Sequence, residues 1–593
     1  MSVPADGANF RPADAPRTAR PSVTRRGVSS RLRGVPNEAT LIATACALGI
    51  LAAITRRPLT TLLLVVYLLA AVLLSSAVMQ SYLGMPLTLA DVQFFFRDPI
   101  DDLKLFLNYP ALGASFSAVI GGFAVLLLLG WRVERPRWPA QGNRVTHGAR
   151  AAVIAVLVGV LAIGYSAAPP LAHTGAADDR DAWSAFLALR RIELAGNWVG
   201  RLNMFFENRD MLATLPPVHP QTRFPEADAS EAVANDPPDA AAPAAAARLP
   251  DVLVVLEEST FDPQLIAACR EAACASTMFR APANALRTVQ SPLLVHTTGG
   301  GTWLTEFAFL SGFDWRTFGR GGAYAPVSLA PRLRHSLPQY LRTLGYHTVV
   351  FSAVGADFLR ARSAYRYYGF DEFYASQDLK LGDDWHALRD ATLYDKALAI
   401  LAQSKDTRPL FVFMLTIRNH GPHGETSGAL PIRVQGVEQR LGRPLADYLA
   451  RLDDSARDID ALRGRWLAAP QPRVIGWFGD HQPEVAWDFI NTMADINGAH
   501  LASNVNADRL RYLTWHQLSA NFGPRGAVTS REALDVPFLG SELLDFAGIP
   551  LDADARAALS VAHSCHRLLL DCADHALIDD YLSYRIHDLE AIR

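Results

Sequence analysis

Charged side chains are scarce between residues 38 and 170, where apolar runs follow one another, and from there on the composition is that of an ordinary soluble domain. A chain of 593 residues exceeds one simple domain. This asymmetry suggests a membrane part followed by a water-soluble part. The apolar runs cover 39–54, 59–79, 111–131 and 151–168. A span needs roughly 20 apolar residues, within a range of about 17–25. The second and third runs meet this plainly, the fourth adequately, and the first only at the margin.

Arginines set the orientation. Arg132, Arg135, Arg137, Arg144 and Arg150 lie between the third and fourth runs and belong on the cytoplasmic side. The stretch 87–108, with Asp91, Asp98, Asp101 and Asp102, suits the outside. The fourth run then leads outward and exports everything after about residue 170. Four full crossings would leave the N-terminal arm outside, against the arginine rule, whereas a first run that dips in without crossing keeps it inside. Both arrangements export the C-terminal part. Four regions result: a disordered basic arm at 1–37, with seven arginines and no apolar run, a transmembrane helical domain at 38–170, juxtamembrane helices and a Pro/Ala-rich linker at 171–249, and an extracytoplasmic catalytic domain at 250–593. Segment 83–108 mixes Phe94, Phe95, Phe96, Leu103, Leu105 and Phe106 with acids, a pattern that reads equally as an interfacial amphipathic element or a loop. The net charge of −3 gives no footing for nucleic acid.

From residue 251 onward, apolar strands alternate with amphipathic helices: DVLVVLEE, HTVVFSA, PLFVFMLTI and RVIGWFGDH are strands, while LPQYLRTLGY, LRDATLYDKALAILAQS and ADYLARLDDSARDIDALRGRWL are helices. Continuous apolar strands between helices predict an α/β domain whose mostly parallel sheet is covered by helices on both faces. Sites in such domains form at the carboxyl ends of strands. One exit carries Glu257, Glu258 and Ser259, another Gly479, Asp480 and His481, and a third Arg418, Asn419, His420, Gly421, Pro422 and His423. A glycine-rich loop, Thr297–Thr298–Gly299–Gly300–Gly301–Thr302, leads into the helix-like WLTEFAFL. That puts Thr302 at a helix N-terminus, where backbone N–H groups favour phosphate. Alone, each piece reads as a cap, a turn or a structural histidine. Together, Glu, Asp, His and a hydroxyl form a first shell for one divalent cation, manganese or zinc. The cation would turn an otherwise poor threonine nucleophile into a usable one.

These residues resemble the alkaline-phosphatase-like superfamily and, more closely, the lipoteichoic acid synthase and phosphoglycerol transferase family, with phosphoethanolamine transferases as cousins. The resemblance implies an alkaline-phosphatase-like fold behind membrane helices. The family's strand ending Leu-Glu-Ser is matched by VLEEST, which makes Glu258 a metal ligand. Its Gly-x-Thr-x-x-x-Glu-Phe stretch is matched around GTWLTEF, which makes Thr302 the nucleophile and a ligand and Glu306 the following acid. Its Gly-Asp-His is matched by Asp480 and His481, and its phosphate-contacting Asn-His by Asn419 and His420. An arginine before the Tyr…Gly-Phe-Asp run binds the head group there. Here Ala361 occupies the nearest equivalent, so the role is expected of Arg360 or Arg362.

The activity implied is transfer of a phosphoryl-linked head group from a phospholipid donor to a glycan or glycerol-containing acceptor through a phosphothreonine, at a bacterial inner membrane with the catalytic domain outside. Phosphoglycerol is favoured by the Gly-Asp-His and Leu-Glu-Ser-like turns, whereas the His-Gly-Pro run leans towards phosphoethanolamine. A hydrolase with water as acceptor is the second reading. The Cys/Ser-x-Pro-x-Arg frame that a formylglycine sulfatase needs is missing from the sequence. Cys46 lies in an apolar run, while Cys269, Cys274, Cys565 and Cys572 form two close pairs that are either reduced thiols or, outside the cytoplasm, disulfides.

Overall fold

The structure is a computed structural model, and it describes residues 49–50, 57–83, 110–134 and 248–593 except 266–273, 283–284, 357, 383, 386, 425–438, 484 and 487–501. The basic arm, most of the first apolar run, the fourth run, segment 84–108, the 171–247 region, Cys46 and Cys269 lie outside the described residues.

The second and third apolar runs form helices α1 (Pro58–Leu83) and α2 (Pro110–Val133). They pack antiparallel. Thr60, in the first turn of α1, donates from its N–H and hydroxyl to Glu134 just beyond the end of α2, at 2.6 and 2.7 Å. Farther along, the Tyr67 and Phe123 rings meet at 5.3 Å. Gly130 permits the close approach, since a Cβ there would fall 2.9 Å from the Thr60 side chain. Among the described residues no helix is long and apolar enough to cross a membrane.

The C-terminal part is an α/β domain with a nine-stranded, mostly parallel sheet. Its strands are β1 (Asp251–Glu257), β2 (Arg287–Leu294), β3 (His347–Ser352), β4 (Glu372–Tyr374), β5 (Leu410–Leu415), β6 (Arg473–Gly479), β7 (Leu513–Ala520), β8 (Gly526–Thr529) and β9 (Leu534–Asp535). The order is β4-β3-β5-β1-β6-β7-β2-β8, with β9 also on β2. From β4 to β6 every pairing is parallel, and β7 runs antiparallel to both of its neighbours. All seven residues of β1 are buried, because it lies inside the sheet with helices on each side. Its alternation serves two cores: Val252, Val254 and Leu256 pack on one face, Leu253 and Val255 on the other. The helices that matter to the site, counting those longer than four residues, are α3 (Thr302–Ser311), α4 (Leu337–Thr343), α5 (Ala361–Tyr368), α6 (Asp390–Gln403), α7 (Gln439–Leu467), α8 (Leu539–Ala547), α9 (Ala553–Ser564) and α10 (His575–Ser583).

Each strand and helix read from the alternating pattern is present. Residues 500–593 gave no such pattern, yet they complete the sheet with β7, β8 and β9 and cover one end with α8, α9 and α10. Buried Arg585 ties this cover to α3. It bonds both oxygens of Asp554 at 2.6 and 2.7 Å and donates to the carbonyls of Ser311 and Gly312 at 2.8 and 2.5 Å, where α3 leaves carbonyls unpaired. Cys565 is disulfide-bonded to Cys572, and Cys274 is disulfide-bonded as well.

Candidate metal centre and nucleophile

The centre forms where β1 and β6 end side by side, Glu257 in register with Gly479. Strand alternation sends the two glutamates apart. Glu257 turns into the core below, where the Tyr394 hydroxyl donates to it at 2.7 Å and where burial, then Asp390, pushes its pKa well up. Glu258 turns towards β6. Ser259, next in line, takes a left-handed conformation (φ 49) and bends the chain so that two of its groups act on the cluster. Its N–H donates to Asp480 Oδ1 at 2.7 Å and its hydroxyl to Glu258 Oε1 at 2.7 Å. Gly479 has no room for a side chain, since a Cβ would fall 1.8 Å from the Thr260 carbonyl oxygen.

Glu258, Asp480 and His481 are all buried, and one ligand atom from each lies within 4.8 Å of the others. His481 Nε2 is 3.1 Å from Asp480 Oδ2 and 3.5 Å from Glu258 Oε1. His481 Nδ1 lies 3.1 Å from the Gln482 carbonyl, so Nδ1–H donates there and Nε2 presents a lone pair to the cluster. Asp480 Oδ2 is buried without a hydrogen-bond partner. Lone pairs turned on one another in a buried space need a bound cation or a proton between them. The donor set of two carboxylates, an imidazole and a hydroxyl therefore fits one divalent metal.

Thr302 completes the set. Gly299, Gly300 and Gly301 all have positive φ, at 70, 156 and 84°, which is the conformational reason for the glycine run. Gly301 caps α3, and a Cβ on it would fall 2.6 Å from Thr297 Oγ1. Thr302 is thereby the first residue of α3, with Oγ1 3.3 Å from Glu258 Oε2 and 3.5 Å from His481 Nε2. One turn later the Thr305 hydroxyl donates to the Asp480 carbonyl at 2.7 Å and locks α3 against the end of β6. Burial pushes the Glu258 carboxyl up to about 8, helped by the Asp480 charge and opposed by His481 and by hydrogen bonds from Ser259 and Thr302.

The structure thus brings together Glu258, Thr302, Asp480 and His481. The Asn419 side-chain amide donates to Thr260 Oγ1 at 3.0 Å, which ties the Asn-His turn to β1, while its side-chain Oδ1 is buried without a partner. Burial holds the pKa of His420 below the ordinary imidazole value, with Asp480 among the charges acting on it. Arg362 is engaged elsewhere, on Asp378 at 2.8 Å and over the Phe373 ring. Arg360 is exposed, in a left-handed conformation, two residues after Phe358, whose ring meets that of Trp303 at 6.0 Å. Glu306 lies within α3, buried, accepting from the Tyr365 hydroxyl at 2.5 Å, and burial pushes it to about 7. Sequence reasoning missed Thr305, Trp303 and Thr416, the last of which accepts from the Glu258 N–H at 3.0 Å. Only Thr416, at a strand exit, carried a positional signal.

Residues 250–483 match the family model described as Sulfatase, and they include all four residues of the centre. An uncharacterised protein of Haemophilus influenzae is 27% identical over 355 residues, which cover 58% of this chain and 62% of that protein. The match therefore spans less than two thirds of the relative's length. Among solved structures, a phosphoglycerol transferase of Streptococcus pyogenes in complex with sn-glycerol-1-phosphate is 16% identical with a TM-score of 0.43, covering 57% of this chain and 85% of its own. A lipoteichoic acid synthase of Listeria monocytogenes is 15% identical with a TM-score of 0.35, covering 51% and 73%.

Proposed function

We propose that the C-terminal domain transfers a phosphoryl-linked head group, phosphoglycerol in preference, from a phospholipid to a glycan or glycerol hydroxyl through a phosphothreonine at Thr302. The observation that carries the reading is Thr302 Oγ1, at the start of α3, 3.3 Å from Glu258 and 3.5 Å from His481 in a buried cluster suited to a divalent cation. Manganese or zinc held by Glu258, Asp480, His481 and the Thr302 oxygen would lower the hydroxyl's pKa and offset negative charge on the phosphoryl oxygens.

In the first half-reaction Thr302 Oγ1 bonds to the donor phosphorus while the bond from phosphorus to the diacylglycerol oxygen breaks, and that oxygen takes up the proton Thr302 has lost. In the second, the acceptor hydroxyl bonds to the same phosphorus, the bond to Thr302 breaks, and the acceptor's proton returns to the threonine. The N-terminus of α3 favours the anionic intermediate. His420, with Arg360 or Arg362, is assigned to the phosphoryl and head-group oxygens. A lipid donor accords with the apolar runs ahead of the domain, and the arginines at 132–150 orient that domain outward from an inner membrane. Phosphoethanolamine is the second reading, favoured by the His420–Gly421–Pro422 run.

The test uses the full chain in detergent with manganese and fluorescent phosphatidylglycerol or phosphatidylethanolamine, with and without a glycan acceptor. Intact-protein mass spectrometry should find an adduct on Thr302 whose added mass names the head group. Thr302→Ala should lower diacylglycerol release on the order of 10³-fold while leaving most metal affinity in place. Release that survives this substitution would falsify the nucleophile. Equal release with and without glycan, yielding only free head-group phosphate, would make the protein a hydrolase.

A further inference from the structure

The loop that carries His420 is held from beneath by one buried ion pair on the long helix α7. Arg451 and Asp447, one turn apart, are 1% and 3% exposed. Arg451 bonds Asp447 at 2.7 Å and 3.3 Å. Its remaining donors go to the loop's backbone: Nη1 to the carbonyl of His420 at 2.9 Å and Nη2 to that of Pro422 at 3.3 Å. Asp447 reciprocates by accepting from the N–H of Gly424 at 2.9 Å. Within the loop, His423 closes onto the Asn419 carbonyl at 3.0 Å, and the Gly421 carbonyl takes His420 Nδ1 at 2.7 Å. Burial, then Arg451, pushes His423 down to about 3, so it stays neutral and holds the turn only as a donor.

We infer that the Arg451–Asp447 pair positions His420 for the transferring phosphoryl group, as a clamp on the backbone rather than as a source of stability. A buried ion pair is a poor stabiliser: its desolvation cost rivals its attraction, and apolar replacements of similar volume are often neutral. What such replacements cannot reproduce is the pair's fixed fork of donors and acceptor, which here grips the loop at His420, Pro422 and Gly424. Displacing a charge-stabilising group by about 1 Å costs roughly 10²-fold in rate. The inference rests on the role proposed for His420 above, and one of its readouts needs no substrate.

The full chain is compared with the double variant Arg451→Met/Asp447→Leu and with Arg451→Lys. Without substrate, diethyl pyrocarbonate labelling of His420, read by peptide mass spectrometry, should quicken severalfold in the double variant while labelling of exposed His563 stays constant. With fluorescent phospholipid and manganese, kcat for diacylglycerol release should fall about 10²-fold, with manganese affinity and Tm close to the parent's and with partial recovery in Arg451→Lys. Adding His420→Ala to the double variant should lower the rate little further, because both changes remove one interaction. Unchanged labelling overturns the inference. So does a rate loss that multiplies fully with His420→Ala, or one that only tracks a collapse in Tm and metal affinity. If the parent itself releases no diacylglycerol, the proposed function fails, and the labelling result still decides the clamp.

Discussion

Among single residues, Glu258 would govern when the proposed centre takes up a cation. Its carboxyl is pushed to about 8 by burial and by the neighbouring Asp480 charge. Without an ion it holds a proton at neutral pH, and a divalent cation must displace that proton to bind. Apparent metal affinity should therefore rise from pH 6 to about 8 and level off above, with close to one proton released per ion at pH 7. Calorimetry in two buffers of different ionisation enthalpy measures this directly, and a pH-independent affinity would contradict it. Glu258→Gln should remove the pH dependence and weaken binding at least about 10²-fold.

At the scale of elements, α3 presents Thr302 only because both its ends are fixed, by the glycine loop in front and by Arg585 behind. The Arg585 partner, Asp554, is shared with His335, which lies just before α4. His335 Nε2 is 2.7 Å from Asp552, the N-cap of α9, and Nδ1 is 3.1 Å from Asp554. The two carboxylates outweigh burial and raise His335 from 6.5 to about 9. A folded-state pKa above the unfolded one contributes stability that is whole below 6.5, declines from there, and is gone once pH passes about 9. His335→Gln should cost on the order of 2 kcal/mol at pH 6, discounted for partial exposure, and almost nothing at pH 10. Denaturant midpoints at the two pH values report the difference, and an equal loss at both would exclude the ion pair as its source.

Across the whole molecule, the last hundred residues reach the loop before Thr302 through a chain of polar contacts. The loop closed by Cys565 and Cys572 grips Asp535 from two sides: Arg567 offers its carbonyl to the Asp535 N–H at 2.8 Å, and Leu569 its N–H to Oδ2 at 2.9 Å. Asp535 Oδ1 in turn holds His296 Nε2 at 2.5 Å, directly before the glycine-rich loop. Replacing both cysteines by serine frees an eight-residue loop in the unfolded chain and should lower stability by about 2–3 kcal/mol, read as a lower Tm of the full chain under oxidising conditions. Once the disulfide is reduced, parent and variant should melt alike, and a persistent difference would point to the serines themselves.

Strands β1, β3, β5 and β6 were legible because they are buried on both faces and therefore almost continuously apolar. Glu258, Asp480, His481 and Thr302 could be named together from their joint appearance around strand exits and from the family that their motifs resemble. Strands β2, β7 and β8 were not legible. β7 reads LTWHQLSA, with His516, Gln517 and Ser519 buried and partnered within the sheet, so its burial leaves no hydrophobic signature. Likewise nothing local to Arg451 or Arg585 distinguishes them from solvated helix charges, since the backbone carbonyls they hold lie 29 to 274 positions away. Residue types and short spacings are properties of the chain, so the sequence alone determined the strand pattern, the glycine turn and the candidate ligands. Where Glu257 turns, which arginine holds a loop and what supports α3 depend on contacts between distant segments, and only the tertiary structure decided those.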